Sequence, residues 1–238
     1  MFYYYGIDLT YIVLVLPAVI FSLIASANVN RTFDKYSKVN NSRGLTGAQV
    51  ARQILDANGL QNVRIENVSG KLTDHYDPRA NVVRLSDSVY NSQTSAAIGV
   101  AAHECGHAIQ HSTGYLPIKI RSAIIPITNI GSKLSIPLIL IGIAMAAMSQ
   151  YAIALAYIGV ALFSFSFIFQ LVTLPTEFNA SRRAVTTIEQ MGIAEGQDLK
   201  GCKKVLKAAA MTYVAALAVS LMQLIRLLLI VQRNNRTR

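Results

Sequence analysis

The sequence predicts an α-helical membrane protein with about four membrane segments and a small α+β region set among them. Composition is the first observation. Of 238 residues, 53% are hydrophobic and only 14% charged, with a mean hydropathy of +0.39. That balance lies outside the usual range of soluble domains. The second is the length of the apolar runs. Residues 9–27 suffice for one crossing of a hydrocarbon core about 30 Å thick, residues 134–171 suit two, and residues 208–231 form a last. The third is the stretch from 28 to 114, where strand-like alternation and helix-capping signals replace continuous apolarity.

Residues 1–27 are expected to be an N-terminal membrane anchor. The flank from Met1 to Asp8 lacks a basic region, so although Ala25-Ser26-Ala27 resembles a cleavage site, the segment reads as uncleaved. Arg31, Lys35, Lys38 and Arg43 follow the run, and charge bias then places the N-terminus outside and residues 28–133 in the cytoplasm.

Residues 28–133 form the expected catalytic region. Thr46 and Gln49 have the spacing of a capping box, opening a short amphipathic helix that closes near Asn58-Gly59. Residues 63–68 and 81–85 read as strands, linked through Ser69-Gly70 and Asp77-Pro78. A helix then starts with Ser92 or Thr94 as N-cap and stops at Gly114. Residues 115–133 carry Pro117 and Pro126 among isoleucines and basic residues, which predicts a kinked amphipathic segment at the membrane surface.

Residues 134–172 are expected to form a transmembrane helical hairpin turning at Ser149-Gln150-Tyr151. Residues 173–207 form a second, strongly basic cytoplasmic loop, with Arg182, Arg183, Lys200, Lys203, Lys204 and Lys207. Residues 208–238 make a C-terminal membrane helix and basic tail. A full last crossing puts Arg233, Arg236 and Arg238 outside, against the charge rule. With Gln223 and Arg226 in the run, either the helix inserts only partly or Arg226 snorkels to the interface.

The chemistry concentrates in Ala102-His103-Glu104-Cys105-Gly106-His107-Ala108. On a helix, positions i and i+4 share one face about 6 Å apart, so two imidazoles can converge on one ion. His-Glu-x-x-His is the pattern of hydrolytic zinc, in which three protein ligands leave a fourth position to water and an adjacent carboxylate takes its proton. Glu104 is the candidate general base, His103 and His107 the candidate ligands. His111 lies about 12 Å along the axis from His103, too far to share the ion, and reads as a structural residue or a support to the ligands. The better third ligand is Glu177, in Leu174-Pro175-Thr176-Glu177-Phe178-Asn179-Ala180-Ser181-Arg182-Arg183-Ala184, where Pro175 or Thr176 is expected to open a helix and place Glu177 in its first turn. Two crossings separate His107 from Glu177, which returns both to one side.

His-Glu-Cys-Gly-His, Glu-Phe-Asn-Ala-Ser-Arg-Arg-Ala and the upstream Thr73-Asp74-His75-Tyr76-Asp77-Pro78 together resemble the bacterial membrane-bound neutral zinc metallopeptidases of the YugP type, over nearly the whole chain. The resemblance implies a gluzincin-like site, with His103 and His107 as ligands, Glu104 as base and Glu177 as third ligand. In more distant membrane gluzincins an Asp commonly follows the ligand Glu by four residues, and this chain has Ser181 there. The partner of the zinc histidines is then Ser181, Asn179 or an Asp from elsewhere. His75 and Tyr76 either supply an oxyanion donor or serve as a turn residue and a packing ring.

The expectation is therefore a membrane-anchored zinc metalloendopeptidase. It would bind one Zn2+ per chain and hydrolyse protein or peptide substrates at the cytoplasmic surface of the cell membrane, Glu104 activating a zinc-bound water. An intramembrane zinc protease and a non-enzymatic zinc-retaining scaffold are the alternatives. The net charge of +10 is split between loops flanking apolar runs, with no nucleic-acid module, which points to lipid headgroups rather than nucleic acid. Cys105 and Cys202, in a cytoplasmic region, are expected to stay reduced.

Overall fold

The computed structural model describes residues 3–4, 7–146, 148–149 and 151–236. Of the predicted features, Met1, Phe2, Tyr5 and Gly6 of the N-terminal flank, Gln150 of the hairpin turn and Arg238 of the tail lie outside the described residues. The chain is mostly helical and has a small three-stranded sheet. In order, it contains β1 (Tyr3–Tyr4), β2 (Ile7–Asp8), a π-helical turn (Tyr11–Val15) leading into α1 (Leu16–Tyr36), α2 (Gly47–Ala57), β3 (Arg64–Val68), β4 (His75–Asp77), β5 (Val82–Ser86), α3 (Ser95–Ser112), α4 (Leu116–Met145), α5 (Ala152–Gln190) and α6 (Gly196–Arg236). Two compact units result, one of Met1–Ile24, Ile120–Leu174 and Tyr213–Arg238, the other of Ala25–Lys119 and Pro175–Thr212.

Among the described residues, four helices are long and apolar enough to cross a membrane: Tyr11–Tyr36 with its π-helical turn, α4, α5 and α6. In each, only 17% of the most apolar window is buried by protein, so most of that apolar surface is left for lipid. The chain is an α-helical membrane protein with a small α+β region, as the sequence predicts.

In the first unit, α4 and α5 approach through missing side chains. A Cβ on Gly131 would lie 2.8 Å from the Leu162 carbonyl oxygen, and one on Gly159 would lie 2.6 Å from that of Ser135. Small residues at such contacts let helices come close enough for dispersion to hold them where no water is present to drive burial. Ile139, Ala156, Val160, Leu227 and Val231 form the buried cluster of this unit. Asp8 Oδ1 accepts from the backbone of Thr10 at 3.0 Å and caps the turn that starts the first crossing. Its other oxygen pairs with Arg226, whose Nε donates at 2.8 Å, and the same guanidinium lies 5.4 Å from the Tyr11 ring centroid. Arg226, the charge that makes the last apolar run ambiguous, is thus neutralised within its own unit. The last helix is unbroken around it.

The second unit packs α2 and α3 with the sheet, strand order β3-β5-β4, around Phe33, Ile54, Leu55, Val83, Leu85, Ile98 and Ile188. Burial of each such side chain contributes roughly 1.5–3 kcal/mol. The capping box is formed: Thr46 Oγ1 accepts from Gln49 N at 3.2 Å, and Gln49 Oε1 accepts from Thr46 N at 2.9 Å. β5 is central, parallel to β3 and antiparallel to β4, and it buries Val82, Val83, Leu85 and Ser86 rather than alternating.

Three local expectations are corrected. His75–Asp77 is a strand, not only a connection, because its backbone pairs with β5 from His75↔Arg84 to Asp77↔Val82. Residues 115–133 are not a separate surface segment, since α4 runs unbroken through Pro126 and Pro137. Pro175 and Thr176 do not open a helix: Pro175 lies inside α5 and Glu177 falls well past its first turn. A proline removes one backbone donor and crowds the preceding turn, a cost that long apolar helices tolerate.

Candidate metal centre

Thr94 starts α3, its side chain accepting from Ala97 N at 3.3 Å. The first three turns are almost all small and buried: Ala96, Ala97, Gly99, Ala101 and Ala102. A Cβ on Gly99 would lie 3.3 Å from Cys202 Cα of α6, and Ser95 Oγ donates to the buried Asp198 carboxylate at 3.1 Å. These contacts fix the helix that carries the motif.

Farther along α3, the rings of His103 and His107 stand nearly perpendicular, their centroids 4.8 Å apart. Glu177 of α5 meets them. Its Oε2 is 3.2 Å from His103 Nε2 and 3.5 Å from His107 Nε2. The three residues offer ligand atoms all within 4.8 Å of one another, and Glu177 itself is 2% exposed. Gly106 makes this meeting possible, because a Cβ there would lie 2.7 Å from the Ala180 carbonyl oxygen. The single glycine of the motif is therefore where α5 comes down onto α3.

The outer nitrogens of both histidines are also engaged. His103 Nδ1 is 3.1 Å from Ser181 Oγ, and His107 Nδ1 is 3.0 Å from Gln110 Oε1. The Gln110 amide is itself oriented, its Nε2 donating to the Thr176 carbonyl at 2.8 Å and to Asn179 Oδ1 at 3.0 Å. Asn179 Oδ1 accepts a second bond from Arg183 Nε at 2.8 Å. With both amide hydrogens committed, Gln110 can only accept from His107, which keeps a proton on Nδ1 and leaves Nε2 as the nitrogen facing Glu177, where it carries either a proton or a metal ion. Of the candidate partners for the histidines, Ser181 touches His103, whereas Asn179 acts one step away through Gln110. Gln110 and Gly106 are site residues that the motifs do not single out. The signal for Gln110 was available, since i+3 from His107 is on the same helix face.

Glu104 is buried at 8% exposure. Burial raises its proton affinity above that of an ordinary carboxyl; the two histidines oppose this, and Glu177 and Asp74 add to it. At His107, burial disfavours the charged form, but the hydrogen bond to Glu177 and the charge of Glu104 outweigh it and raise its pKa. A divalent cation takes the place of that proton when it binds.

His111 does not join the cluster; its ring lies 5.5 Å from that of Tyr76. The Tyr76 hydroxyl donates to Asn81 Oδ1 at 3.2 Å. His75 is exposed, with Nδ1 2.8 Å from the Thr73 carbonyl oxygen. Asp74 accepts from Ser86 N at 2.7 Å and Ser86 Oγ at 2.9 Å, and burial raises its pKa. This upstream motif therefore attaches β4 to β5. Cys105 is buried facing α2, with Sγ 3.6 Å from the Ala51 carbonyl oxygen, and burial pushes its thiol pKa up.

A family described as "Putative neutral zinc metallopeptidase" matches residues 11–232. The chain is also 46% identical over 220 residues to "Putative membrane protease YugP" of Bacillus subtilis (strain 168), covering 92% of this chain and 96% of that protein. No solved structure matches. The chain belongs to the neutral zinc metallopeptidase family.

The family implies zinc, and the donor set fits it. Tetrahedral zinc with bonds of about 2.0–2.1 Å separates its ligand atoms by about 3.4 Å, close to the 3.2 and 3.5 Å between Glu177 and the two histidines. Two neutral imidazoles and one carboxylate make three protein ligands, the number that leaves a coordination position open.

Proposed function

We propose that the chain is a membrane-anchored zinc metalloendopeptidase that hydrolyses peptide bonds of protein or peptide substrates at the cytoplasmic surface of the cell membrane. The observation that carries this reading is the convergence of His103, His107 and Glu177 beside the buried carboxylate of Glu104. His103, His107 and Glu177 would hold one zinc ion per chain. Zinc bound there supplies a Lewis acid that polarises the scissile carbonyl and makes water a better acid.

The residues of the chain do the rest. Glu104 takes the proton of the attacking water and passes it to the leaving amine, and a carboxyl whose proton affinity is raised by burial suits a group that must both accept and release. Ser181 and Gln110 hold the imidazoles in one orientation, so that little reorganisation accompanies the reaction. β4 pairs on one side with β5, and its other edge suits an extended peptide, whose backbone would run as an added strand.

A site at the surface is favoured over one inside the bilayer because α3, at 18 residues, is not among the four helices apolar enough to cross. The lysines and arginines of residues 28–133 and 173–207 support the cytoplasmic face. Glu104→Gln tests the mechanism: zinc per chain stays unchanged, while hydrolysis of an unfolded protein substrate by the detergent-purified enzyme falls about 100-fold or more. Unchanged turnover in that variant would remove Glu104 from the reaction.

A further inference from the structure

We propose that a cleft between α1 and α6 binds the phosphate-bearing headgroup of an anionic phospholipid. The cleft has a volume of about 330 Å³, at the lower end of the roughly 300–1,000 Å³ of organic ligand sites. Lys35 of α1 and Lys204 and Lys207 of α6 line it, and no carboxylate does. All three lysines are exposed, and none forms an ion pair among the described residues. Other lysines of the same unit are paired, Lys71 with Asp34 and Lys203 with Glu189, each at 2.6 Å. Three ammonium groups around one cavity without a counter-charge raise the local potential, and each offers three donors to phosphate oxygens.

The position of the cleft along its two helices identifies the source of the phosphate. Asn28, one of its lining residues, is the first residue beyond the apolar run 9–27; Ala208, another, begins the run 208–231. The cleft thus lies where both helices change from apolar to polar, the level at which a crossing helix meets headgroup phosphates. Its walls also match a lipid. On the apolar side, Ala208 and Met211 offer surface to the first methylenes of an acyl chain, which inorganic phosphate lacks.

Native mass spectrometry of the delipidated full chain in detergent tests the proposal, with phosphatidylglycerol, phosphatidylcholine and inorganic phosphate as probes. The expected result is one retained phosphatidylglycerol per chain in preference to phosphatidylcholine. Lys35→Gln/Lys204→Gln/Lys207→Gln weakens retention by about tenfold or more. The charge-matched control Lys38→Gln/Arg79→Gln/Lys200→Gln, at exposed positions outside the cleft, leaves it within about twofold, which separates a site from diffuse attraction. Equal loss in both variants overturns the proposal, as does equal retention of the two lipids. Displacement of phosphatidylglycerol by an equimolar amount of inorganic phosphate also overturns it, by making the lysines a site for the free ion.

Discussion

The two compact units of this chain are specified in opposite ways. In the unit holding most of α4 and the apolar part of α5, large apolar side chains point outward: Ile130, Leu140 and Ile158 are 60%, 62% and 53% exposed. Contacts there are made by what is absent, at Gly131, Gly142 and Gly159. In the unit holding α3 and the sheet, polar side chains sit inside with assigned partners at the candidate metal centre: Gln110 and Glu177 are at most 2% exposed. An apolar membrane face accepts many sequences that keep its hydropathy. A buried polar network accepts few, because each unmatched group costs about 1–3 kcal/mol.

The largest expected effect attacks a place where the polar unit uses the apolar unit's device. Gly106→Val puts a branched side chain where even a Cβ would be 2.7 Å from a backbone oxygen of α5. It should destabilise the protein by about 3 kcal/mol or more and abolish stoichiometric zinc, by thermal unfolding and elemental analysis. Leu140→Val, on the lipid-facing surface, should change neither. An equal response of the two variants would erase the distinction.

Gln110→Leu keeps the volume of the side chain but removes the acceptor for His107 Nδ1 and the donor to the Thr176 carbonyl. Zinc affinity should fall about 10- to 100-fold, measured by competition with a chromogenic chelator. A smaller loss is expected from Ser181→Ala, since a hydroxyl can be replaced there by water. If Ser181→Ala costs more than Gln110→Leu, the network through Asn179 and Arg183 is not what orients the histidines.

Asp8 and Arg226 sharpen the comparison from the other side, as a charged pair in the apolar unit. In a double-mutant cycle with Asp8→Asn and Arg226→Gln, thermal unfolding should give a coupling of about 1–3 kcal/mol. Additive losses would mean that each charge is satisfied separately at the membrane surface.

Much of this was legible in the sequence. The His-Glu-x-x-His spacing, the Thr46–Gln49 capping box, an N-cap at Ser92 or Thr94, which the fold resolves to Thr94, and the apolar runs all depend on residues close in the chain, and local patterns report them. What was not legible depends on residues far apart. Pro175 reads locally as a helix start, yet α5 continues through it, because proline statistics from water do not carry over to a helix of 39 residues with a long apolar stretch. The strand His75–Asp77 has three residues, too few for alternation to show, and exists through its pairing with β5 and the hold of Asp74 on Ser86. Gln110 is buried because α5, distant in the chain, covers it. Ser181, flagged as a departure from an acidic pattern, touches His103 directly.

The central claim is that α3 and α5 together build one zinc site. Elemental analysis of zinc per chain in detergent-purified wild type and in Glu177→Ala tests it most directly, with circular dichroism to establish that both are folded. The account predicts close to one zinc per wild-type chain and a marked loss in the folded variant. Undiminished zinc in Glu177→Ala, or no zinc in wild type prepared without chelators, would contradict it.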